Sequence, residues 1–402
     1  MIRSSKATAL LTASLCMSFG LVLASCTRRA PAPEHEAYIW QRKWTPAVVA
    51  ALSAQQSVFA GWRVLGLQVI GGQQIDVIPD LAALAGPGKP VRLVVRIDGA
   101  RGPLAVPALL ARLSPLIVRW RAAGLDLTGI EIDHDCATSA LADYASWLQQ
   151  LRRGLPGELR LSITALPSWL DSPALDQLLA AVDDSVLQVH AVERPDRSLF
   201  DGKQARQWTL AFARRTQHPF AVALPAYGVR VDTDAQGRVS AVDAEADIER
   251  SGAGGRELRA DPREVASFLR QLASDRPENL RGYLWFRLPV AGDRRGWSAA
   301  MLGAVIAASP LESHFVVRGT LNAGGSVDLA LRNLGTLDAP PPAVDLPAHC
   351  RLGDALGRYR LQSTPAGLRL APDADAWLPV GETMDIGWVR CAQTLEREWV
   401  IR

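Results

Sequence analysis

Short apolar or alternating segments are separated along this chain by segments with helical periodicity, which is typical of proteins that alternate β-strands and α-helices. The pattern predicts eight strands, in chain order Ala37–Trp44, Arg63–Ile70, Val91–Asp98, Leu127–Asp135, Leu159–Ala165, Ser185–Val192, Phe220–Tyr227 and Leu280–Leu288. Amphipathic helices follow nearly all of these strands; in Pro107–Ala123, for example, apolar residues recur along one face. Gly71–Ala85, after the second strand, offers only a poor helix.

Eight strand–helix pairs predict an α/β fold, a (β/α)8 barrel of the TIM type, which typically takes about 250 residues. A doubly wound open sheet is the alternative, but the Gly-rich phosphate turn that often accompanies it is absent after the first strand. The polar, Gly-rich segment Asp232–Arg259 is predicted to be a long loop or a small excursion above the sheet. We expect the barrel to occupy residues 37–309.

The pattern changes beyond Pro310. Short strand-like runs lie between Gly, Pro and Asn clusters, at Phe315–Arg318, Ser326–Asn333, Arg358–Gln362 and Met384–Arg390. We therefore expect a small all-β, sandwich-like domain at residues 310–402, with a packing or carbohydrate-contact role.

The N-terminus resembles the signal segment of a bacterial lipoprotein. Arg3 and Lys6 precede an uncharged apolar run at residues 7–23, and small residues directly precede Cys26. The resemblance implies a signal peptide at residues 1–25, lipidation of Cys26 and a tether at residues 26–36. A transmembrane anchor is the alternative, although the run is shorter than the roughly 20 residues needed to span a bilayer.

Composition and charge narrow the class of protein. Of the 402 residues, 48% are hydrophobic and 21% are charged, as in ordinary folded proteins. The net charge of +3 falls to +1 without residues 1–25, so no electrostatic footprint for nucleic acid is present. Because an envelope location permits disulfides, we expect Cys350 to pair with Cys391 and Cys136 to remain a free, buried thiol.

The fourth predicted strand carries the residues with the clearest chemistry. Glu131, Asp133 and Asp135 alternate with Ile130, Ile132 and His134, so three carboxylates lie on one face, about 7 Å apart along the strand. Neighbouring like charges raise one another's pKa, and a carboxyl that stays protonated near neutral pH can act as a general acid. His134 points to the opposite face, which favours a packing role over a metal ligand, and neither HxH nor HExxH spacing occurs. We expect neither a metal nor a cofactor.

In a barrel, active residues lie at the C-terminal ends of the strands. Asp135 is the candidate proton donor and Asp133 its partner; the alternatives are a helix cap for Asp135 and a salt bridge to Arg96 for Asp133. Glu131 lies one layer deeper, where we expect hydrogen bonds inside the barrel. The candidates for substrate binding at the rim and below it are Glu131, Trp40, Arg42, Arg96, Asp98, His190, Glu193, Tyr227 and Trp285. A second carboxylate for catalysis could be Glu193 or Asp98.

Gly129–Asp135 resembles the DGxDxDxE signature of family 18 glycoside hydrolases, the chitinase-like barrels, with Asp135 at the position of the catalytic Glu. Leu224–Arg230 and Gly282–Trp285 resemble the proline-tyrosine-glycine segment and the eighth-strand tryptophan of those enzymes. Over most of residues 37–400, the chain resembles a bacterial lipoprotein family named domain of unknown function 3142. Tyr-Ile-Trp-Gln-Arg at 38–42 and Ile-Asp-His-Asp-Cys at 132–136 carry that resemblance, which implies a glycosidase-like barrel.

These observations lead to a hypothesis and its alternatives. The first is a glycoside hydrolase that processes a polysaccharide and is anchored by lipid to the bacterial envelope, with carbohydrate and membrane as partners and no nucleic acid. Thr27 after the cysteine resembles lipoproteins of the outer membrane, which implies a location facing the periplasm. The second is a catalytically inactive polysaccharide-binding lipoprotein for glycan export or assembly. A structural lipoprotein without a ligand and a metal hydrolase are further alternatives, the latter least favoured.

Overall fold

The central sheet consists of parallel strands that follow one another with helices between them. The structure, a computed structural model, describes residues 32–98, 105–192, 194, 196–234, 236–243, 255–393, 395 and 397–401. The strands up to residue 286 are β1 (Glu34–Ile39), β2 (Gly61–Ile70), β3 (Gln73–Asp76), β4 (Pro90–Asp98), β5 (Asp126–His134), β6 (Arg160–Ala165), β7 (Asp184–Gln188), β8 (Phe220–Pro225), β9 (Gly228–Thr233), β10 (Val239–Asp243), β11 (Arg256–Arg259) and β12 (Leu280–Phe286). The α-helices are α1 (Pro46–Gln55), α2 (Leu81–Ala85), α3 (Val106–Ala122), α4 (Leu141–Gly154), α5 (Leu175–Leu179), α6 (Gly202–Arg215), α7 (Pro262–Ser274) and α8 (Ala299–Ile306).

Strand pairing closes this sheet into a barrel. Parallel neighbours run in the order β1-β12-β8-β7-β6-β5-β4-β2, and β1 also pairs with β2. Within the described residues, the result is a closed eight-stranded parallel barrel with helices in the crossovers, which confirms the predicted (β/α)8 fold and rules out the open sheet. β1 begins at Glu34, inside the predicted tether, because Glu34 and Glu36 already pair with β12 and β2.

The segment after β2 is where the expected strand–helix alternation is interrupted. Gly71 and Gly72 adopt positive φ angles of 56° and 87°, which favour glycine, and they turn the chain into β3. β3 pairs antiparallel with β2, and only the short helix α2 follows. The poor helix predicted for Gly71–Ala85 is thus a hairpin strand followed by a five-residue helix.

A small separate sheet is inserted between β8 and α7. β9 lies between β10 and β11 in an antiparallel arrangement, in the order β10-β9-β11. This sheet is the excursion that the sequence allowed at Asp232–Arg259, although β9 begins earlier, at Gly228. Its hydrophobic residue Val242 reaches the mouth of the barrel.

Short antiparallel strands follow the barrel: β13 (Phe315–Leu321), β14 (Val327–Asn333), β15 (Val344–Asp345), β16 (Cys350–Ala355), β17 (Tyr359–Thr364), β18 (Gly367–Pro372), β19 (Thr383–Cys391) and β20 (Glu398–Ile401). They form one sheet in the order β16-β19-β14-β13-β20 and another in the order β15-β18-β17. Their inner faces share a hydrophobic cluster that includes Leu331 and Val389, and Cys350 is joined to Cys391 by a disulfide. Pro33–Arg402 forms one compact unit, so a domain boundary at residue 309 stays a prediction. Among the described residues, no helix has the length and apolar character to cross a membrane.

Candidate functional site

A cavity of about 430 Å³ opens at the C-terminal end of the barrel strands. It is lined by Tyr38, Trp40, Arg42, Gln68, Arg96, Asp98, Asp133, Asp135, Thr164, Gln188, His190, Ala223, Tyr227, Val242 and Phe286. Seven of the catalytic and substrate-binding candidates on the barrel rim are therefore brought together with Asp133. In the cavity, the acids at the end of β5 meet aromatic residues that lie at or just beyond the ends of β1, β8 and β12.

The three acids of β5 differ sharply in how far solvent reaches them. The side chain of Asp135 is 44% exposed, that of Asp133 is 7% exposed and that of Glu131 is fully buried. This order follows from the direction of β5, whose C-terminal end lies at the cavity. A ligand in the cavity can reach Asp135 directly and Asp133 from above, whereas Glu131 lies beneath the floor.

Asp133 is held by two donors. Thr164 on β6 donates its hydroxyl to Oδ1 at 2.6 Å, and Arg96 on β4 donates Nη1 to Oδ2 at 2.9 Å. Burial raises the pKa of Asp133, and the nearby charge of Asp135 raises it further, while Arg96 and Thr164 oppose the shift. The result is a carboxyl that takes up a proton more readily than an exposed aspartate.

Asp135 is paired with the same guanidinium. Arg96 donates Nη2 to Oδ2 of Asp135 at 2.7 Å, so one arginine spans both acids. The one-turn helix that follows, Thr138–Ala140, receives no side-chain cap. The helix-cap alternative for Asp135 is therefore wrong in this structure, whereas the salt bridge between Asp133 and Arg96 is present.

Glu131 belongs to a polar network inside the barrel. The hydroxyl of Tyr38 donates to Oε1 of Glu131 at 2.7 Å, and Arg63 donates to its Oε2. Arg63 also donates to Glu36 at 2.8 Å. Glu131 does not line the cavity, so its inclusion among the substrate-binding candidates is corrected to an internal hydrogen-bonding role, because Tyr38 and neighbouring side chains cover it from above.

Aromatic rings form one wall of the cavity. The ring of Phe286 lies 5.2 Å from that of Trp40 and 5.2 Å from that of Tyr227, and it stacks on His190 at 5.7 Å between centroids. Nδ1 of His190 lies 3.3 Å from the hydroxyl of Tyr227. Burial lowers the pKa of His190 to about 3, so this imidazole is neutral at physiological pH. The wall is thus aromatic and uncharged.

Trp285 does not belong to this wall, contrary to the sequence prediction. Its side chain is fully buried on the outer side of β12, where Nε1 donates to Nδ1 of His35 at 3.0 Å and the indole packs against Trp297. Its neighbour Phe286 points into the barrel instead. Because side chains of a strand alternate between faces, the prediction missed the inward residue by one position.

The remaining candidates are placed as follows. Arg42 lines the cavity and donates to Gln68 at 2.9 Å, and Asp98 lines the cavity at the end of β4. Glu193 and Cys26 lie outside the described residues. Asp98 is therefore the second-carboxylate candidate that the structure places at the cavity.

Several lining residues were not predicted: Tyr38, Thr164, Gln188, Ala223, Val242 and Phe286. Thr164 and Gln188 carry a signal that could have identified them, since each is a polar residue at the C-terminal end of a barrel strand. Val242 carries none, because it comes from the inserted sheet rather than from a barrel strand.

Outside this cavity, few of the described residues are grouped in a way that could bind a metal ion. Across the described ranges, the residues of metal-ligating type that cluster are His349, Cys350 and Cys391, and the two cysteines are bonded to each other. The free thiol of Cys136 is buried, and burial raises its pKa to about 11, so it is a poor nucleophile.

Solved structures with a similar fold include two spore cortex-lytic enzymes named SleL. The Bacillus cereus enzyme is 12% identical with a TM-score of 0.49, and the match covers 68% of this chain and 74% of that enzyme. The Bacillus megaterium QM B1551 enzyme is 12% identical with a TM-score of 0.48, and the match covers 64% of this chain and 70% of that enzyme. The GH18 chitinase ChiB of Flavobacterium johnsoniae is 12% identical with a TM-score of 0.45, covering 68% and 92%.

Family models match two parts of the sequence. Residues 317–392, in the C-terminal sheets, match the domain of unknown function DUF8456. No curated protein matches the chain. Residues 87–291 match the domain of unknown function DUF3142, and this match takes in just over half of the chain, including β5 and its acids. The chain belongs to the DUF3142 family.

Proposed function

We propose that this protein is an envelope glycoside hydrolase that acts on a polysaccharide, with Asp135 as the general acid and Asp133 as its partner. One observation carries the proposal: Asp135 is the exposed end of a row of carboxylates, and it opens into a cavity whose opposite wall is aromatic. A sugar ring can stack its apolar face on Phe286 and Trp40 while its glycosidic oxygen faces the acids.

Asp133 and Asp135 lie in different environments, which suit them to different roles in the proposed reaction. Asp133 is buried and its pKa is raised, so it can hold a proton close to Asp135. A sugar that fills the cavity would displace water around Asp135 and bring its glycosidic oxygen next to that carboxyl group. Asp135 would then donate the proton to the leaving oxygen. Asp98 is the candidate for a second carboxylate, whose distance from the acid decides between retention and inversion.

The test compares the wild-type chain with Asp135→Asn on a panel of envelope polysaccharides and exopolysaccharides, measuring new reducing ends. General acid catalysis contributes about 10²–10⁴-fold, so the variant should lose activity by that factor while its binding affinity persists. Asp126→Asn, at the exposed start of the same strand, is the matched control and should remain active. Unchanged turnover in Asp135→Asn would sink the proposal.

A second function, polysaccharide binding without hydrolysis, is favoured by one observation. Arg96 forms charge-assisted hydrogen bonds to both Asp133 and Asp135, so one oxygen of each acid is engaged by the protein rather than by a reacting bond. In this case calorimetry would show oligosaccharide binding by the wild-type chain, wild-type affinity in Asp135→Asn and no new reducing ends in either protein.

The proposed location is the outer membrane, facing the periplasm, through a lipid on Cys26. The support is the sequence of residues 1–27 alone. Cys26→Ser should move the protein from the membrane fraction to the soluble fraction after cell lysis. Retention of the variant in the outer-membrane fraction would contradict the lipid anchor.

A further inference from the structure

The C-terminal five-stranded sheet has one covered face and one open face. Leu329, Leu331 and Val389 point to the covered side, where they join the hydrophobic cluster of this region. The outward residues of the same strands are exposed, among them Arg318, Thr320, Asp328, Arg332, Leu352, Asp354 and Arg390. Exposure along four adjacent strands means that, in the described part of the chain, this face is open to solvent.

Trp388 lies on that open face. Its neighbour Val389 is fully buried on the covered side, so alternation along β19 turns Trp388 outward. Trp388 is partly exposed and does not belong to the hydrophobic cluster beneath the sheet. A partly exposed indole offers a flat apolar face on which a ligand can stack.

Two carboxylates flank this indole, one on each neighbouring strand. Asp328 on β14 and Asp354 on β16 are both direct cross-strand partners of Trp388. Side chains that face each other in this way have Cβ atoms about 4.5–5.5 Å apart, so both acids lie beside the ring.

Each carboxylate is oriented by one hydrogen bond and keeps an acceptor open. Asn322 donates to Oδ1 of Asp328 at 3.0 Å, and the backbone N–H of Ala355 donates to Oδ1 of Asp354 at 2.8 Å. The contacts of the described residues leave Oδ2 of both acids without a protein donor. Both of these oxygens can accept hydrogen bonds from a ligand that lies on the indole.

We propose that Trp388, Asp328 and Asp354 form a carbohydrate-binding surface, separate from the barrel cavity, that holds one sugar ring of a neutral polysaccharide. The apolar face of a pyranose would stack on the indole, and its hydroxyl groups would donate to the two carboxylates. The inference goes beyond the proposed hydrolase. Only the choice of a polysaccharide as the ligand rests on that function.

The charges around the ring favour a neutral ligand over a cationic one. Arg390 lies next to Trp388 along β19 and donates to Ser326 at 3.0 Å, and Arg318 and Arg332 are exposed on the same face. Asp385 and Glu398 are also exposed on this face, opposite Ala330 and Arg318, so three cations face four acids and the near-balance leaves little net field to hold a cation. An apolar peptide would leave both carboxylates desolvated without donors, which is unfavourable. Sugar hydroxyls supply the donors.

The experiment measures sedimentation of the full-length chain with insoluble cellulose, xylan and chitin, three neutral or nearly neutral polysaccharides. We expect binding to at least one of them, an affinity about tenfold lower for Trp388→Ala, and substantial binding by Trp388→Phe, which keeps an aromatic face. The double variant Asp328→Asn/Asp354→Asn should also bind more weakly. Val400→Ala removes an exposed apolar side chain elsewhere on the open face and should bind as the wild type does.

The outcomes are distinct from those of the hydrolase test. Loss of binding in Trp388→Ala with an unchanged thermal unfolding midpoint supports the surface, whether or not Asp135→Asn affects turnover. No binding to any of the three polysaccharides would overturn the inference. Binding that falls in Phe286→Ala but not in Trp388→Ala or Trp388→Phe would also overturn it, because the barrel cavity would then account for all of the affinity.

Discussion

Arg96 donates from one guanidinium nitrogen to Asp135 at 2.7 Å and from another to Asp133 at 2.9 Å, so a single side chain from β4 bridges two acids at the end of β5. The planar fork of an arginine suits this geometry, which a lysine could not reproduce. The charge of the site therefore depends on three groups rather than two, and removal of either acid leaves Arg96 with one remaining partner.

We expect Asp133→Asn to change stability in a pH-dependent way. Burial raises the pKa of Asp133 in the folded chain, whereas the unfolded chain has a value of about 3.9. The folded state thus binds this proton more tightly than the unfolded state. The stabilisation that results is complete below pH 3.9 and is lost as the pH rises through the raised pKa of Asp133. Relative to the variant, the wild type should gain stability as the pH falls from 7 towards 4.5.

Urea denaturation of both proteins at pH 7 and pH 4.5 measures that difference. Asp126→Asn, on the exposed end of the same strand, corrects for the charge change alone. A difference between wild type and Asp133→Asn that does not vary with pH would contradict the prediction.

Acid should weaken the fold through His35. Nε1 of Trp285 can only donate, so it requires an unprotonated Nδ1 on His35, and burial lowers the pKa of His35 to about 4. The unfolded chain takes up this proton near pH 6.5, so the stability that neutral His35 contributes is full above pH 6.5 and falls as the pH drops towards 4. The loss is on the order of 1 kcal/mol per pH unit.

The His35→Gln variant keeps an acceptor for Trp285 and removes the titration. We expect its stability to fall less than that of the wild type between pH 6.5 and pH 4.5, with denaturant midpoints as the measurement. Equal losses in both proteins would show that His35 does not contribute.

Phe286 and Trp285 should have opposite effects despite being neighbours. Phe286→Ala removes a ring from the cavity wall, so oligosaccharide affinity should fall about tenfold in calorimetry. Trp285→Phe removes a buried donor and aromatic volume outside the barrel lumen, so it should cost about 1–3 kcal/mol of stability and leave affinity unchanged. The reverse result would restore Trp285 as the sugar-contacting residue.

Removal of the disulfide should destabilise the C-terminal sheets. Cys350 and Cys391 are separated by 41 residues, and a closed loop of this length restricts the unfolded chain by about 4 kcal/mol in the loop-entropy model. The double variant Cys350→Ser/Cys391→Ser should unfold at a lower urea concentration than the oxidised wild type. Dithiothreitol should lower the wild-type midpoint and leave that of the variant unchanged; insensitivity of the wild type would count against the bond.

The barrel could be predicted because the sequences of its strands have hydrophobic patterns that are typical of buried parallel strands. Strands buried on both sides read as apolar runs, and β5 adds a strict alternation of acids and apolar residues. The inserted strands β3, β10 and β11 were not predictable in detail, since they are short and mostly exposed, so no apolar face marks their register.

At the site, the inward-facing residues could likewise be predicted only where polar and apolar residues alternate along a strand. Asp133 and Asp135 could be assigned to the lumen because Ile132 and His134 mark the other face. Leu284, Trp285 and Phe286 are all apolar or aromatic, so nothing in that stretch shows which residue points inward, and the wrong neighbour was chosen. Arg96 was recognised as a partner for one acid, but its bridge to both depends on the register between β4 and β5.

Part of the cavity wall is not made by the barrel. Val242 belongs to the sheet inserted after β8, whereas the acids and the aromatic residues come from the barrel strands and the turns that follow them. Changes in the length or sequence of this insert can therefore reshape the opening without disturbing barrel closure or the acids of β5. Under the proposed function, we expect a change in this insert to alter which polysaccharide the cavity accepts while the strands beneath it stay the same.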